Sequence, residues 1–184
     1  MNITVYGGAN SGTDPVYVKA AEDLGRMLAK NGHTVVYGGG AIGMMGGLSR
    51  GALEEGGHVI GVIPRFMVER EWANPAVADM RMTGTMAERK TMMNELGDVF
   101  VAMPGGTGTL EEIAESLSNC NLGLHPGKCV FLNINGYYES MRAMLDAMTK
   151  AGYLHEEELR ANAVFADSVE ELEAFLKAYR PEGE

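Results

Sequence analysis

Six short apolar runs recur along the chain: Ile3–Tyr6, Thr34–Tyr37, Val59–Ile63, Val99–Met103, Cys129–Ile134 and Val164–Ala166. Each is nearly continuous, as in strands covered on both faces of a parallel sheet. Helix-length segments separate them. Asp14-Pro15 supplies a cap and a first-turn proline for a helix to about Lys30, which Asn31-Gly32 closes. Further helices are expected over 43–55, 84–96, 108–123, 137–150 and 168–179, the last capped by Asp167 or Ser168. This alternation predicts an α/β fold, a doubly wound parallel sheet of six to seven strands flanked by helices. Met80–Thr83 is the candidate seventh strand. Residues 64–79 read as the one long irregular stretch. A length of 184 residues fits a single domain over 1–180, with a short polar tail at 181–184.

Glycine is the compositional anomaly. It makes up 25 of 184 residues, about twice the usual share of roughly 7%. The glycines cluster at 38–47 and 105–108, with pairs at 7–8 and 56–57. Three of these clusters follow apolar runs, where an open α/β sheet binds its ligand at the carboxyl ends of the strands. One crevice with a backbone-lined floor is therefore expected.

The balance of 15 basic and 25 acidic residues, net −10, argues against a nucleic-acid partner. No stretch approaches the roughly 18 apolar residues of a membrane span, and the N-terminus lacks the features of a secretory signal. Two cysteines nine positions apart form neither a disulfide framework nor a zinc site, which points to a reducing, cytoplasmic location. No pair of the four histidines has metal-ligand spacing, so neither a metal nor a cofactor is expected.

Val99 to Glu112 is the most informative segment: a buried strand, then Pro-Gly-Gly-Thr-Gly-Thr, then a helix. Unpaired N–H groups and the positive end of the helix dipole favour an anion there. Gly105, Gly106 and Gly108 allow a phosphate close to the backbone, and Thr107 and Thr109 add hydroxyl donors. The loop lacks the lysine of an ATPase P-loop. Gly38, Gly40 and Gly43 match G-x-G-x-x-G, but they follow the second strand and no acidic residue lies about 20 positions on, which disfavours an NAD site. Gly40 is instead read as crevice backbone.

Arg89 falls on the same stripe as Met86, Met93 and Leu96. A guanidinium on a core-facing stripe needs a partner, and a phosphate or carboxylate suits its fork. Lys90 beside it adds a second charge. Glu112 lies one turn after Gly108. The expected core stripe of its helix is Leu110, Ile113 and Leu117, which Glu112 flanks without joining. A carboxylate there is poorly placed for the phosphate and well placed for chemistry further along the ligand. Spacing does not separate Glu111 from Glu112 beyond this preference.

These residues together resemble the LOG ("lonely guy") phosphoribohydrolases, a family often described as putative lysine decarboxylases. The matching pieces are Tyr37 to Gly40 with Gly43 to Gly46, Gly61 to Pro64, Met86 to Lys90, Pro104 to Glu112 as PGGxGTxxE, Leu122 to His125, and Asn135 to Tyr138. The resemblance implies a Rossmann-like homodimer or an assembly of dimers. It implies hydrolysis of the N-glycosidic bond of a nucleoside 5′-monophosphate, a cytokinin riboside monophosphate or AMP, to free base and ribose 5-phosphate. The family's catalytic pair maps onto Arg89 and Glu112, and Glu71 and Ser118 match ligand-contacting positions loosely. The chain departs from the family pattern at the base end: Ala87 replaces a histidine, Thr107 stands where tyrosine is common, and Ser118 to Gly123 lacks a tryptophan. The alternative expectation is a carrier that binds a nucleotide or a molybdenum-cofactor-like ligand without cleaving it. Nothing marks a Schiff-base lysine with pyridoxal phosphate neighbours.

Overall fold

A computed structural model describes residues 1–70 and 72–180. The tail expected at 181–184 lies outside the described residues. Seven strands form one parallel sheet: β1 (Asn2–Tyr6), β2 (Thr34–Tyr37), β3 (Val59–Pro64), β4 (Asp79–Thr83), β5 (Val99–Ala102), β6 (Lys128–Leu132) and β7 (Ala163–Ala166). Their spatial order is β4-β3-β2-β1-β5-β6-β7. The candidate strand Met80–Thr83 is thus part of β4, on the outer edge beyond β3. The helices are α1 (Pro15–Lys30), α2 (Gly43–Glu54), α3 (Arg65–Val68), α4 (Met86–Leu96), α5 (Thr107–Asn121), α6 (Glu139–Lys150), α7 (Glu156–Asn162) and α8 (Val169–Ala178).

The strands explain their own composition. Side chains alternate between faces, and here both faces are covered. Ile3, Val5, Val35, Tyr37, Val99 and Val101 pack with the apolar residues of α1, α2 and α8. Tyr6, Val36, Val62, Phe100 and Phe131 pack on the other face with Met93, Ile113 and Leu145. The helix starts follow local chemistry. Asp14 accepts from Val16 N, Thr85 from Glu88 N and Ser168 from Glu171 N.

Part of the glycine excess serves helix packing. A Cβ on Gly25 of α1 would lie 2.1 Å from the Leu48 carbonyl oxygen, and one on Gly51 of α2 would lie 2.1 Å from the Glu22 oxygen. The two helices approach backbone to backbone, which only glycine permits.

Three local expectations need correction. The stretch 64–79 is not irregular throughout: it holds the short helix α3, a bridge from Ala73 to Gly40, and the start of β4. β6 stops at Leu132, before the expected Ile134, because a tight turn with left-handed backbone at Asn135 (φ 53°) follows. Helix α7 was not anticipated. Its sequence EEELRAN has no apolar stripe, and it buries no residue fully.

Candidate active site

The strand order reverses between β1 and β5, and the loops leaving those strands diverge around a cleft of about 960 Å³. This is the switch point where open α/β sheets bind ligands. Two main-chain bonds stitch the three glycine loops together and a third ties the second loop to Asn74. Gly8 N donates to the Pro104 oxygen at 3.2 Å, Met44 N donates to the Gly8 oxygen at 3.1 Å, and Asn74 N donates to the Gly39 oxygen at 2.9 Å.

The turn from β5 into α5 forms one wall. No side chain caps the helix at Gly106, so its first-turn N–H groups lack an intrahelical acceptor. The glycines of this turn have different reasons to be glycine. A Cβ on Gly105 would lie 2.2 Å from Thr109 Oγ1, whereas one on Gly106 or Gly108 would meet nothing within 4 Å. Gly105 is required by packing; Gly106 and Gly108 present bare backbone to the cleft. Thr109 is buried, Thr107 is exposed, and both line the cleft.

Arg89 of α4 and Glu112 of α5 meet where the two helices line the cleft. Arg89 Nη1 donates to Glu112 Oε1 at 2.8 Å, and its Nε donates to the Val62 carbonyl at 3.0 Å. Both residues are buried, 7% and 8% exposed, and both line the cleft. Glu88 of the same helix accepts from Gly84 N at 2.7 Å and anchors the start of α4. A Cβ on Gly38 would lie 1.9 Å from Arg89 Nη2. The first glycine of the second cluster therefore makes room for the guanidinium. Burial pushes the Glu112 carboxyl above its ordinary value, and the Arg89 guanidinium opposes that shift. Behind them, Ser116 Oγ donates to the Glu112 carbonyl at 3.1 Å and lies 2.9 Å from the Tyr6 hydroxyl. Burial pushes the Tyr6 phenol far up, so it stays protonated.

Other expected residues are placed differently. Glu112 joins the buried face of α5 with Thr109, Ile113, Ser116 and Leu117, while Leu110, expected in the core, is 44% exposed. Thr109 and Glu112 both line the cleft, so the inward side of the start of α5 faces it. Lys90 does not line the cleft; its ammonium lies 2.8 Å from Glu111 and 2.8 Å from Glu115. Ser118 is exposed and donates to the Ala114 carbonyl. Gly40 lines the cleft. Glu71 lies outside the described residues. None of the four histidines lines the cleft. The cleft is rimmed by Ile42, within the expected crevice segment, and by Met67 and Trp72 of the long 64–79 stretch; sequence reasoning gave these three no individual role and missed Tyr17 and Tyr137 beside the first loop. Asn135 to Tyr138 was visible beforehand as a motif, and it carried no assigned role.

Residues 45–175 match the profile of a family described as possible lysine decarboxylase. A cytokinin riboside 5′-monophosphate phosphoribohydrolase LOG of Oryza sativa subsp. japonica is 38% identical over 182 residues, 99% of this chain and 75% of the relative. A cytokinin riboside 5′-monophosphate phosphoribohydrolase of Rhodococcoides fascians is 40% identical over 154 residues, 83% of this chain and 78% of the relative. Among solved structures, the molybdenum cofactor binding protein of Rippkaea orientalis superposes with a TM-score of 0.74 at 25% identity, covering 96% of this chain and 95% of that one. The buried Arg89–Glu112 pair thus stands in a chain that belongs to the LOG phosphoribohydrolase family, the same family described as possible lysine decarboxylase.

Proposed function

We propose that this protein hydrolyses the N-glycosidic bond of nucleoside 5′-monophosphates, a cytokinin riboside monophosphate or AMP, releasing free base and ribose 5-phosphate. The observation that carries this reading is the ion pair of Arg89 and Glu112, 2.8 Å apart and lining the same cleft as the uncapped turn at Gly105–Thr109. The names of the relatives from Oryza sativa and Rhodococcoides fascians support the same reaction.

The phosphate docks on the main-chain N–H groups of Gly105–Thr109, where the helix dipole and bare glycine backbone favour an anion. Arg89, held by Val62 and Glu112, orients the ribose phosphate. Binding energy from the phosphate then places the distant C1′ carbon. The bond from C1′ to the base nitrogen breaks through an oxocarbenium-like state, and its electron pair leaves with the base. Glu112 stabilises the developing positive charge or takes a proton from the water whose oxygen bonds to C1′. The departing base nitrogen takes up one proton, which balances the products as free base and ribose 5-phosphate. Its upward-shifted carboxyl is a stronger base than an ordinary glutamate. The base sits by the second loop, near Gly40–Met45. The family description as a lysine decarboxylase finds no counterpart in this cleft, where no lysine stands among the described lining residues.

The protein acts as a homodimer or an assembly of dimers, consistent with Leu110, Leu122 and Leu124 left exposed on and just after α5. A cytoplasmic location and a single domain agree with two buried, unpaired cysteines and one continuous sheet. Incubation of the purified protein with AMP, with adenine and ribose 5-phosphate measured by chromatography, tests the reaction. A second reading is favoured by the similarity to the molybdenum cofactor binding protein: a carrier would bind nucleotide tightly and release no base.

A further inference from the structure

Asn135-Gly136-Tyr137-Tyr138 has no role in the chemistry above, yet its two phenols reach the anion-binding turn. The segment is rigidly mounted. Asn133, buried at the end of β6, accepts from Tyr138 N at 2.7 Å and donates to Glu139 at 2.6 Å and Asp167 at 2.8 Å. Left-handed backbone at Asn135 (φ 53°) and Gly136 (φ 70°) then reverses the chain, conformations that asparagine and glycine tolerate. The reversal brings both tyrosines back over the end of β5. Tyr138 is buried against Phe131, ring centroids 5.3 Å apart, and donates to the Met103 carbonyl at 2.7 Å. Tyr137 is 42% exposed, lies edge-on to Tyr17 at 5.9 Å, and donates to the Gly105 carbonyl at 2.5 Å.

Three successive carbonyls of the turn are therefore held from outside: Met103 by Tyr138, Pro104 by Gly8 N, and Gly105 by Tyr137. The last matters most. The peptide joining Gly105 to Gly106 has no Cβ on either side, so sterics alone leave its orientation open. In a trans peptide the N–H points opposite to the C=O. Holding the Gly105 oxygen toward Tyr137 thus aims the Gly106 N–H the other way. Pro104 has no N–H, so the bond to Met103 sets where the turn begins rather than an amide direction.

We propose that Tyr137 and Tyr138 are positioning residues that preset the amides of the 105–109 turn for the substrate phosphate, Tyr137 by selecting one orientation of the Gly105–Gly106 peptide. The proposal rests on the reading above that this turn binds phosphate.

The test is Tyr137→Phe, which removes one oxygen and keeps the ring, alongside Tyr138→Phe. Binding of inorganic phosphate is followed by calorimetry, and AMP turnover by release of adenine. Losing one hydrogen bond to the turn is expected to weaken phosphate binding and raise KM for AMP by a similar factor, roughly five- to tenfold in Tyr137→Phe. kcat and the unfolding temperature stay close to wild type, the signature of lost ground-state binding. Tyr138→Phe gives a smaller change in phosphate binding. Unchanged phosphate binding and KM in Tyr137→Phe overturn the proposal, as does a lowered unfolding temperature with phosphate affinity intact. The phosphate measurement needs no turnover, so the two readings separate. Weakened phosphate binding in a protein that cleaves no AMP sinks the hydrolase and keeps the positioning role. Normal AMP cleavage with unaltered phosphate binding does the reverse. A wild-type protein that binds no phosphate sinks the positioning role, and one that also cleaves no AMP sinks both.

Discussion

Arg89 and Lys90 are neighbours in sequence, as are Glu111 and Glu112, and each base pairs with one of the acids across the same two helices. Arg89 and Glu112 have side chains 9% and 10% exposed, whereas Lys90 and Glu111 are 19% and 62% exposed. One step along a helix turns a side chain by about 100°, enough to move one pair into the cleft wall and leave the other at the rim. The separations are the same 2.8 Å, so distance does not distinguish them; the medium does. A buried pair carries a desolvation cost of several kcal/mol per ion that its mutual attraction only partly offsets. Exposed pairs contribute roughly 0 to 1 kcal/mol and weaken with salt. Retention of an expensive pair at a cleft is the pattern expected of functional groups rather than of stabilising ones.

The contrast breaks most sharply at the acids. Glu112→Gln is expected to lower kcat for base release about 10²- to 10⁴-fold, the range for loss of a general base. Glu111→Gln is expected to change it by less than about threefold, because a solvated carboxylate contributes little. Equal effects of the two substitutions, measured by adenine release from AMP, would dissolve the distinction.

The bases come next. Arg89→Ala is expected to cut kcat/KM by at least about 10²-fold, the loss of a charge-assisted anchor that orients the substrate. Lys90→Ala leaves it nearly unchanged and costs under about 1 kcal/mol of stability in denaturant unfolding. Gly38→Ala attacks the same pair indirectly. Its methyl would meet Arg89 Nη2 at 1.9 Å, so the guanidinium must leave its place beside Glu112. Roughly a tenfold loss of kcat/KM is expected, in line with small displacements of a catalytic group. Gly106→Ala, which meets nothing within 4 Å, folds normally and affects only ligand approach.

The smallest effect is one of pH. Burial raises the Glu112 carboxyl, so the acid limb of kcat/KM should lie above the ordinary glutamate value of about 4.3. Activity is present above the shifted value and lost as pH falls through it. Stability has the opposite sign. The folded state holds a proton that the unfolded chain has released, so this group makes folding less favourable as pH rises from the ordinary value through the raised one. Glu112→Gln should remove that slope from a series of denaturant titrations, and Glu111→Gln should not.

Six of the strands and the main helices were legible because a two-sided parallel sheet demands continuous apolar runs, and because Asp14-Pro15 and Ser168 carry their own capping chemistry. Helix α7 was illegible for the complementary reason: it buries nothing fully and so leaves no apolar period. At the site, Arg89 was readable as a charge on an apolar stripe. The burial of Glu112 was not, since a stripe drawn through Leu110, Ile113 and Leu117 left Glu112 at the edge of the core, whereas Leu110 is exposed and Glu112 is buried.

The sequence by itself determined where backbone would be bare and where a buried charge would need a partner, because both follow from residue type and helical spacing. Only the tertiary structure decided which acid meets Arg89, that Lys90 turns to the rim, and that Tyr137 and Tyr138 hold the Gly105 and Met103 carbonyls. Those outcomes depend on how α4 and α5 face each other and on a turn more than 30 residues away in the chain. Local propensity carries no information about either.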